Sequence, residues 1–190
     1  MSLAKQQAVV MARDWINKNP VYLDTETTGV GPGDVVVEIA VVAQDGSTLA
    51  DSLIKTHREI PHQAVNIHGI SREMTAGAPD WNEFWPKVES ALSGRPVGMY
   101  NAEFDLKLIH QTHQQNWIKW KIPPGTEFFD VMKIYAQFRG EWNPRTGDYR
   151  WISLEKAGQE AGIPLPNSHR AKDDTLLTRA LMNFIASQQI

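Results

Sequence analysis

Residues 35–43 read "VVVEIAVVA", an almost unbroken β-branched run. A strand with one face in water alternates apolar and polar side chains, whereas a strand covered on both faces does not. The run therefore predicts a central strand in a sheet with layers packed on both sides. The turn cluster "GVGPGD" (29–34) precedes it, and Asp45-Gly46 follows as a hairpin signal, so residues 47–55 should return antiparallel. Glu38 is the charged residue inside the run. The sequence leaves open whether it supports a nearby site or faces a polar partner.

The other segments fit around such a sheet. Ala8, Met11, Ala12 and Trp15 recur at helical spacing over 3–18, with Ser2 as a cap and Pro20 beyond the end. Residues 21–25, 96–100 and 127–131 read as strands, the last running into a helix through about Phe138. Helices are expected over 62–71 (short, ending in a turn), 80–93, 102–115, 153–161 and 171–187. Pro86 should kink or restart the second of these, and Asn101 should cap the third. Residues 140–150 read as a loop. The order is that of an α/β fold: a mixed central sheet with helices on both faces. With 190 residues, 42% of them hydrophobic, one domain is expected over 1–190, a terminal helix within 1–19 preceding a core over 20–187.

Composition excludes some functions. A net charge of −3 gives no broad basic surface, although a local patch or bound metal can still meet nucleic acid. Absence of cysteine excludes disulfides and thiolate metal sites, and fits a reducing, cytoplasmic setting. No apolar run approaches the roughly 20 residues of a membrane span, and the N-terminus lacks the basic-then-apolar order of a secretion signal.

"YLDTETTG" (22–29) puts Asp24 and Glu26 on one face of a strand end. Two such carboxylates repel unless a cation sits between them, one takes a proton, or both are solvated. Three further stretches carry comparable groups: "NAEFD" (101–105), "HRAKDD" (169–174) and "NIHGIS" (66–71). Each is ordinary alone, since an acid in a first helical turn is favoured by the helix dipole.

Together, Asp24-x-Glu26, Asn101-x-x-x-Asp105 and His169-x-x-x-x-Asp174 resemble the three motifs of the DnaQ-like, DEDDh-type 3′–5′ exonucleases. That family includes proofreading exonucleases, RNase T and oligoribonuclease. The resemblance covers about residues 20–187, and "DTETTG", "IHGIS" and "NAEFD" match the family's wording closely. It implies a ribonuclease H-like fold and two Mg²⁺ or Mn²⁺ ions roughly 3.5–4 Å apart that clamp the attacking and leaving oxygens. By resemblance, Asp24 bridges both ions, Glu26 and Asp174 hold the ion that carries the attacking water, and Asp105 serves the second. His169 takes the proton, a task that suits an imidazole's ordinary pKa of roughly 6.5. Asp173 is a rival to Asp174, which the five-residue spacing from His169 favours. Expected substrate contacts are Thr27, His68, Asn101, Phe104, Arg145 and Arg150; for His68 a turn-holding role is equally open.

The implied substrate is a single-stranded 3′ end, DNA in the first instance, released as nucleoside monophosphates, with a DNA polymerase as a partner. RNA is the alternative, as is a non-catalytic binding module on the same fold. One stretch adds a local argument. "FRGEWNPRTGDYRW" (138–151) interleaves arginines with aromatics, and arginine meets phosphate while aromatics stack on bases. Arg145 and Arg150 are assigned to nucleic acid; Trp151 is expected to pack on the domain.

Overall fold

The structure, a computed structural model, describes residues 2–190. Helix α1 (Leu3–Asn17) starts at Ser2, whose hydroxyl accepts the Lys5 amide at 3.3 Å. Strands β1 (Val21–Thr27), β2 (Val36–Ala43) and β3 (Thr48–Leu53) follow. The β-branched run is β2, and every residue from Val36 to Val42 is buried. Next come α2 (His62–His68), α3 (Arg72–Thr75), α4 (Trp81–Leu92), β4 (Pro96–Met99), α5 (Ala102–Gln115), β5 (Glu127–Asp130) and α6 (Val131–Arg139). A small hairpin, β6 (Trp142–Asn143) and β7 (Asp148–Tyr149), precedes α7 (Leu154–Glu160) and α8 (Ala171–Ser187).

The main sheet has the order β3-β2-β1-β4-β5. β1 pairs antiparallel with β2 and parallel with β4, so the sheet is mixed, as expected. The central position belongs to β1; β2 is interior but one place off centre. Side chains of β1 alternate between two cores. Val21 and Leu23 pack with Trp81, Trp85 and Val88 of α4 and Leu108 and Ile109 of α5. Tyr22 packs on the opposite face with Ala8 and Ala12 of α1, Ile134 of α6 and Leu177 and Leu181 of α8. Helices thus cover both faces, which is what β2 requires. α1 is built into the second core, where Trp15 stacks on Phe129 with ring centroids 4.5 Å apart and Arg13 donates to the Ala186 and Gln188 carbonyls.

Several expectations need correction. β1 runs two residues beyond the predicted 25, because Thr25–Thr27 continue the ladder with β2 up to an irregularity at Glu26/Thr27. α4 passes through Pro86 without a restart. Pro86 and Asn82, whose carbonyl loses its helical partner, both lie on the exposed face, so water can take the bond while Trp81, Trp85, Val88 and Leu92 stay buried. Asn101 occupies the cap position of α5, but its side chain makes no capping bond. Its backbone is left-handed (φ 71°), a conformation asparagine tolerates better than most residues. The 140–150 loop contains the β6–β7 pair. Among the described residues no helix is long and apolar enough to cross a membrane.

Candidate active site

The alternation of β1 sorts the acidic groups. Asp24 and Glu26 share Tyr22's side of the strand, toward α8, while Thr25 faces α5. Asp174, in the first turn of α8, meets Asp24 and Glu26: the three carboxylates offer oxygens within 4.8 Å of one another. Asp105, in the first turn of α5, meets Thr25 instead. Its Oδ1 accepts the Thr25 amide at 3.0 Å and the Thr25 hydroxyl at 2.8 Å. Asp105 is only 2% exposed, so its carboxyl points inward, while its neighbour Phe104 is half-buried.

Three carboxylates gathered this closely, with the charge of Asp105 also acting on Asp24, cannot all stay ionised. Burial, then Asp105, Glu26 and Asp174, push the Asp24 carboxyl well above the ordinary range. Burial first and Asp174 second raise Glu26 to about 8. Burial raises Asp105 to about 7 against the opposing Thr25 hydrogen bonds. Burial raises Asp174 to about 6, with His169 pulling the other way. The Oδ1 atom of Asp174 is buried without a hydrogen-bond partner among the described residues. Unbalanced negative charge and an orphaned buried oxygen in an all-oxygen donor set fit a hard divalent cation such as Mg²⁺ or Mn²⁺. Asp173, the rival to Asp174, accepts the Ser168 hydroxyl at 2.6 Å and is not in the cluster.

His169 is exposed on the loop before α8, with a left-handed φ of 52°. The next residue, Arg170, settles the role of Glu38. The Glu38 carboxylate, 3% exposed, accepts two bonds from Arg170 Nε at 3.0 Å, one from its Nη2, and the Ala171 amide at 2.9 Å. A side chain from β2 therefore caps α8, where Arg170 offers no cap of its own, and this fixes the segment carrying His169 and Asp174. Arg170→Ala should leave that carboxylate buried and uncompensated and lower stability by roughly 3 kcal/mol, measurable by denaturant unfolding.

The other expected contacts are divided between two places. A cavity of about 460 Å³ beside Glu26 is lined by Thr27, Phe104 and His68, with Val30 and Ile67 exposed at its walls. His68 uses both ring nitrogens: Nδ1 accepts the Ile70 amide at 3.0 Å, so Nε2 carries the hydrogen and donates to the Thr27 carbonyl at 3.2 Å. Burial lowers its pKa. His68 therefore holds the turn and lines the cavity at once. Arg145, Arg150 and Asn101 lie elsewhere, the arginines on the hairpin and Asn101 near it. Trp151 does not pack on the domain as expected; it is 67% exposed. Sequence reading passed over Thr25 and Arg170. The strand alternation that placed Asp24 and Glu26 on one face could have assigned Thr25 to the other.

The profile of the RNase T family, described as exonuclease, matches residues 21–182. The chain belongs to this DnaQ-like exonuclease family. It is similar to the uncharacterized exonuclease CP81 of Escherichia phage 186, with 31% identity over 193 residues covering 98% of this chain and 97% of the phage protein. It is 30% identical over 180 residues to the PolC-type DNA polymerase III of Thermotoga petrophila; the match covers 89% of this chain and only 12% of the polymerase. Among solved structures, E. coli exonuclease I in complex with a dA16 oligonucleotide superposes with a TM-score of 0.75 at 18% identity, over 90% of this chain and 41% of that one. Exonuclease X in complex with 5′ overhanging duplex DNA gives a TM-score of 0.62 at 25% identity, over 88% of this chain and 92% of its own. These exonuclease neighbours share the ribonuclease H-like α/β architecture.

Proposed function

We propose that this exonuclease removes nucleoside monophosphates from single-stranded 3′ ends, with DNA as substrate. The convergence of Asp24, Glu26 and Asp174 around an unpartnered buried oxygen carries the reading. Asp24, Glu26 and Asp174 would hold the divalent cations, and Asp105, one of whose oxygens is engaged by Thr25, would add its charge beside them. Mg²⁺ or Mn²⁺, when bound there, supplies positive charge to the carboxylates and to the phosphate as it reacts. His169 accepts the proton of the attacking water. The terminal base enters the 460 Å³ cavity against Phe104, Val30 and Ile67, and Glu26 on the cavity wall puts its phosphate beside the acids. The polymerase relative and exonuclease X in complex with 5′ overhanging duplex DNA support DNA and a polymerase partner, while a 3′-exonuclease that recognises a histone mRNA stem-loop shares the fold and keeps RNA as the second arm of the test.

Digestion of end-labelled single-stranded DNA and RNA with Mg²⁺, Mn²⁺ or EDTA is the test. Stepwise loss from the 3′ end of DNA with either metal is expected; turnover in EDTA, or cutting from the 5′ end, overturns the reading. Arg145 and Arg150 contact phosphates in this scheme. Changing both to alanine should raise KM, leave kcat nearly unchanged, and flatten the slope of log binding constant against log salt by roughly 1.4.

A further inference from the structure

Arg145 and Arg150 belong to a larger surface that terminal-nucleotide binding does not use. The β6–β7 hairpin separates two hollows. One, about 670 Å³, is lined by Arg145, Arg150, Pro144 and Tyr149; neither guanidinium has a carboxylate partner among the described residues. The other, about 270 Å³, lies between Tyr149 and Trp151 of the hairpin region, Met132 and Ala136 of α6, and Asn101 and Glu103 at the start of α5. Glu103 is next to Phe104, so the start of α5 has the terminal-nucleotide cavity on one side and this hollow on the other. Trp142 and Trp151 are 54% and 67% exposed, and Trp142 meets Tyr149 edge-on at 5.2 Å.

The base of the hairpin is held firmly. Arg139 pairs with Glu141 at 2.7 Å and with Glu160 at 2.8 Å, and the Arg150 amide donates to the Glu141 carbonyl at 2.8 Å. The Tyr100 hydroxyl donates to the Ile152 carbonyl at 2.8 Å, which ties the chain after the hairpin to the end of β4. Exposed aromatics on an anchored support can accept stacked bases with little ordering cost. Both arginines line the larger hollow, whereas the smaller one sets Glu103 and Lys133 beside its aromatic and apolar lining; Asp148, Tyr149 and Trp151 border both. Phosphates therefore suit the arginine side and bases the aromatic side.

We propose that the hairpin and the 270 Å³ hollow form a second subsite, which takes unpaired nucleotides upstream of the scissile one. It rests on the exonuclease reading and adds that the enzyme senses substrate length. Trp142→Ala and Trp151→Ala test it on a single-stranded dT20, a dinucleotide, and thymidine 5′-(p-nitrophenyl phosphate), which has no upstream nucleotide. For dT20, KM should rise roughly 5- to 150-fold, the range of one lost base–aromatic stack. Hydrolysis of the nitrophenyl ester should be unchanged, and Trp151→Phe should recover most of the dT20 affinity. Anisotropy of a 5′-labelled dT20 in EDTA reads binding without turnover, so a chain that binds but never hydrolyses would defeat the exonuclease reading and leave the subsite standing. Wild-type affinity for dT20 in both alanine variants overturns the subsite. Equal weakening on a blunt duplex overturns its assignment to unpaired nucleotides.

Discussion

Asp24→Asn should reduce hydrolysis by roughly 10³-fold or more and, at pH 8.5 without metal, make the protein more stable. The first effect follows from losing the carboxylate at the centre of the acidic group, where charge on the reacting phosphate has to be met. The second follows from the same group's electrostatics. Asp24 is pushed up by burial and then by Asp105, Glu26 and Asp174, and that repulsion is mutual. An isosteric amide removes a carboxyl whose ionised form burial and the neighbouring acids penalise in the folded state, and it keeps the volume. A variant that is inactive and also less stable at pH 8.5 would show that Asp24 holds the fold rather than the chemistry.

The pH dependence of that stability has a definite sign. Carboxyl groups with ordinary values of 3.8 and 4.5 are raised to about 6 at Asp174, about 7 at Asp105 and about 8 at Glu26. A group whose folded pKa is raised binds its proton more tightly when folded, so it favours the folded state below its unfolded value. That contribution is lost as pH climbs through the folded value. Metal-free protein should therefore melt progressively lower between about pH 4 and pH 8, by roughly 5 °C or more for a domain of this size. Millimolar Mg²⁺ or Mn²⁺ should restore most of the loss at the upper end, because a ligand that binds only the folded state raises its stability. Differential scanning fluorimetry across pH, with EDTA or metal, measures both. In Asp24→Asn the slope should be shallower.

Much of this was legible before the structure. The β2 run fixed a two-faced interior strand because burial on both sides leaves no alternation to preserve, and α5 and α8 fell on their predicted residues. Asp24 and Glu26 were legible as a pair because strand periodicity assigns faces before any tertiary contact is known; Asp174 was picked out by the family resemblance and its spacing from His169, and the fold brings it to the other two. What could not be read was which groups pair across the sheet. Glu38 is an odd charge in an apolar strand until Arg170, 132 residues later, lies over it. Asp105 resembles its partners in sequence, yet the strand's alternation gives it Thr25 as its neighbour. The position of Trp151 depends on a short hairpin whose ladder has only two residue pairs, too few to leave a periodic pattern.

His169→Ala should lower kcat by roughly 10²–10⁴-fold, the usual contribution of a positioned base, while leaving metal and substrate binding nearly intact. The side chain is exposed, so truncation opens no cavity. The neighbouring clamp of Glu38 on Arg170 and Ala171 remains to hold the start of α8 and Asp174 in place. His169 also sits in a left-handed conformation, φ 52°, which is unfavourable for a residue with a Cβ and free for glycine. His169→Gly should thus be as inactive as the alanine variant but more stable than wild type by about 1 kcal/mol, as expected where backbone strain is retained for function. Calorimetry with Mn²⁺ separates the base from a ligand: unchanged affinity in His169→Ala and lost affinity in Asp24→Asn is the expected pair. Full turnover with the same pH profile in His169→Ala would remove the histidine from the chemistry, and the third motif would retain only Asp174.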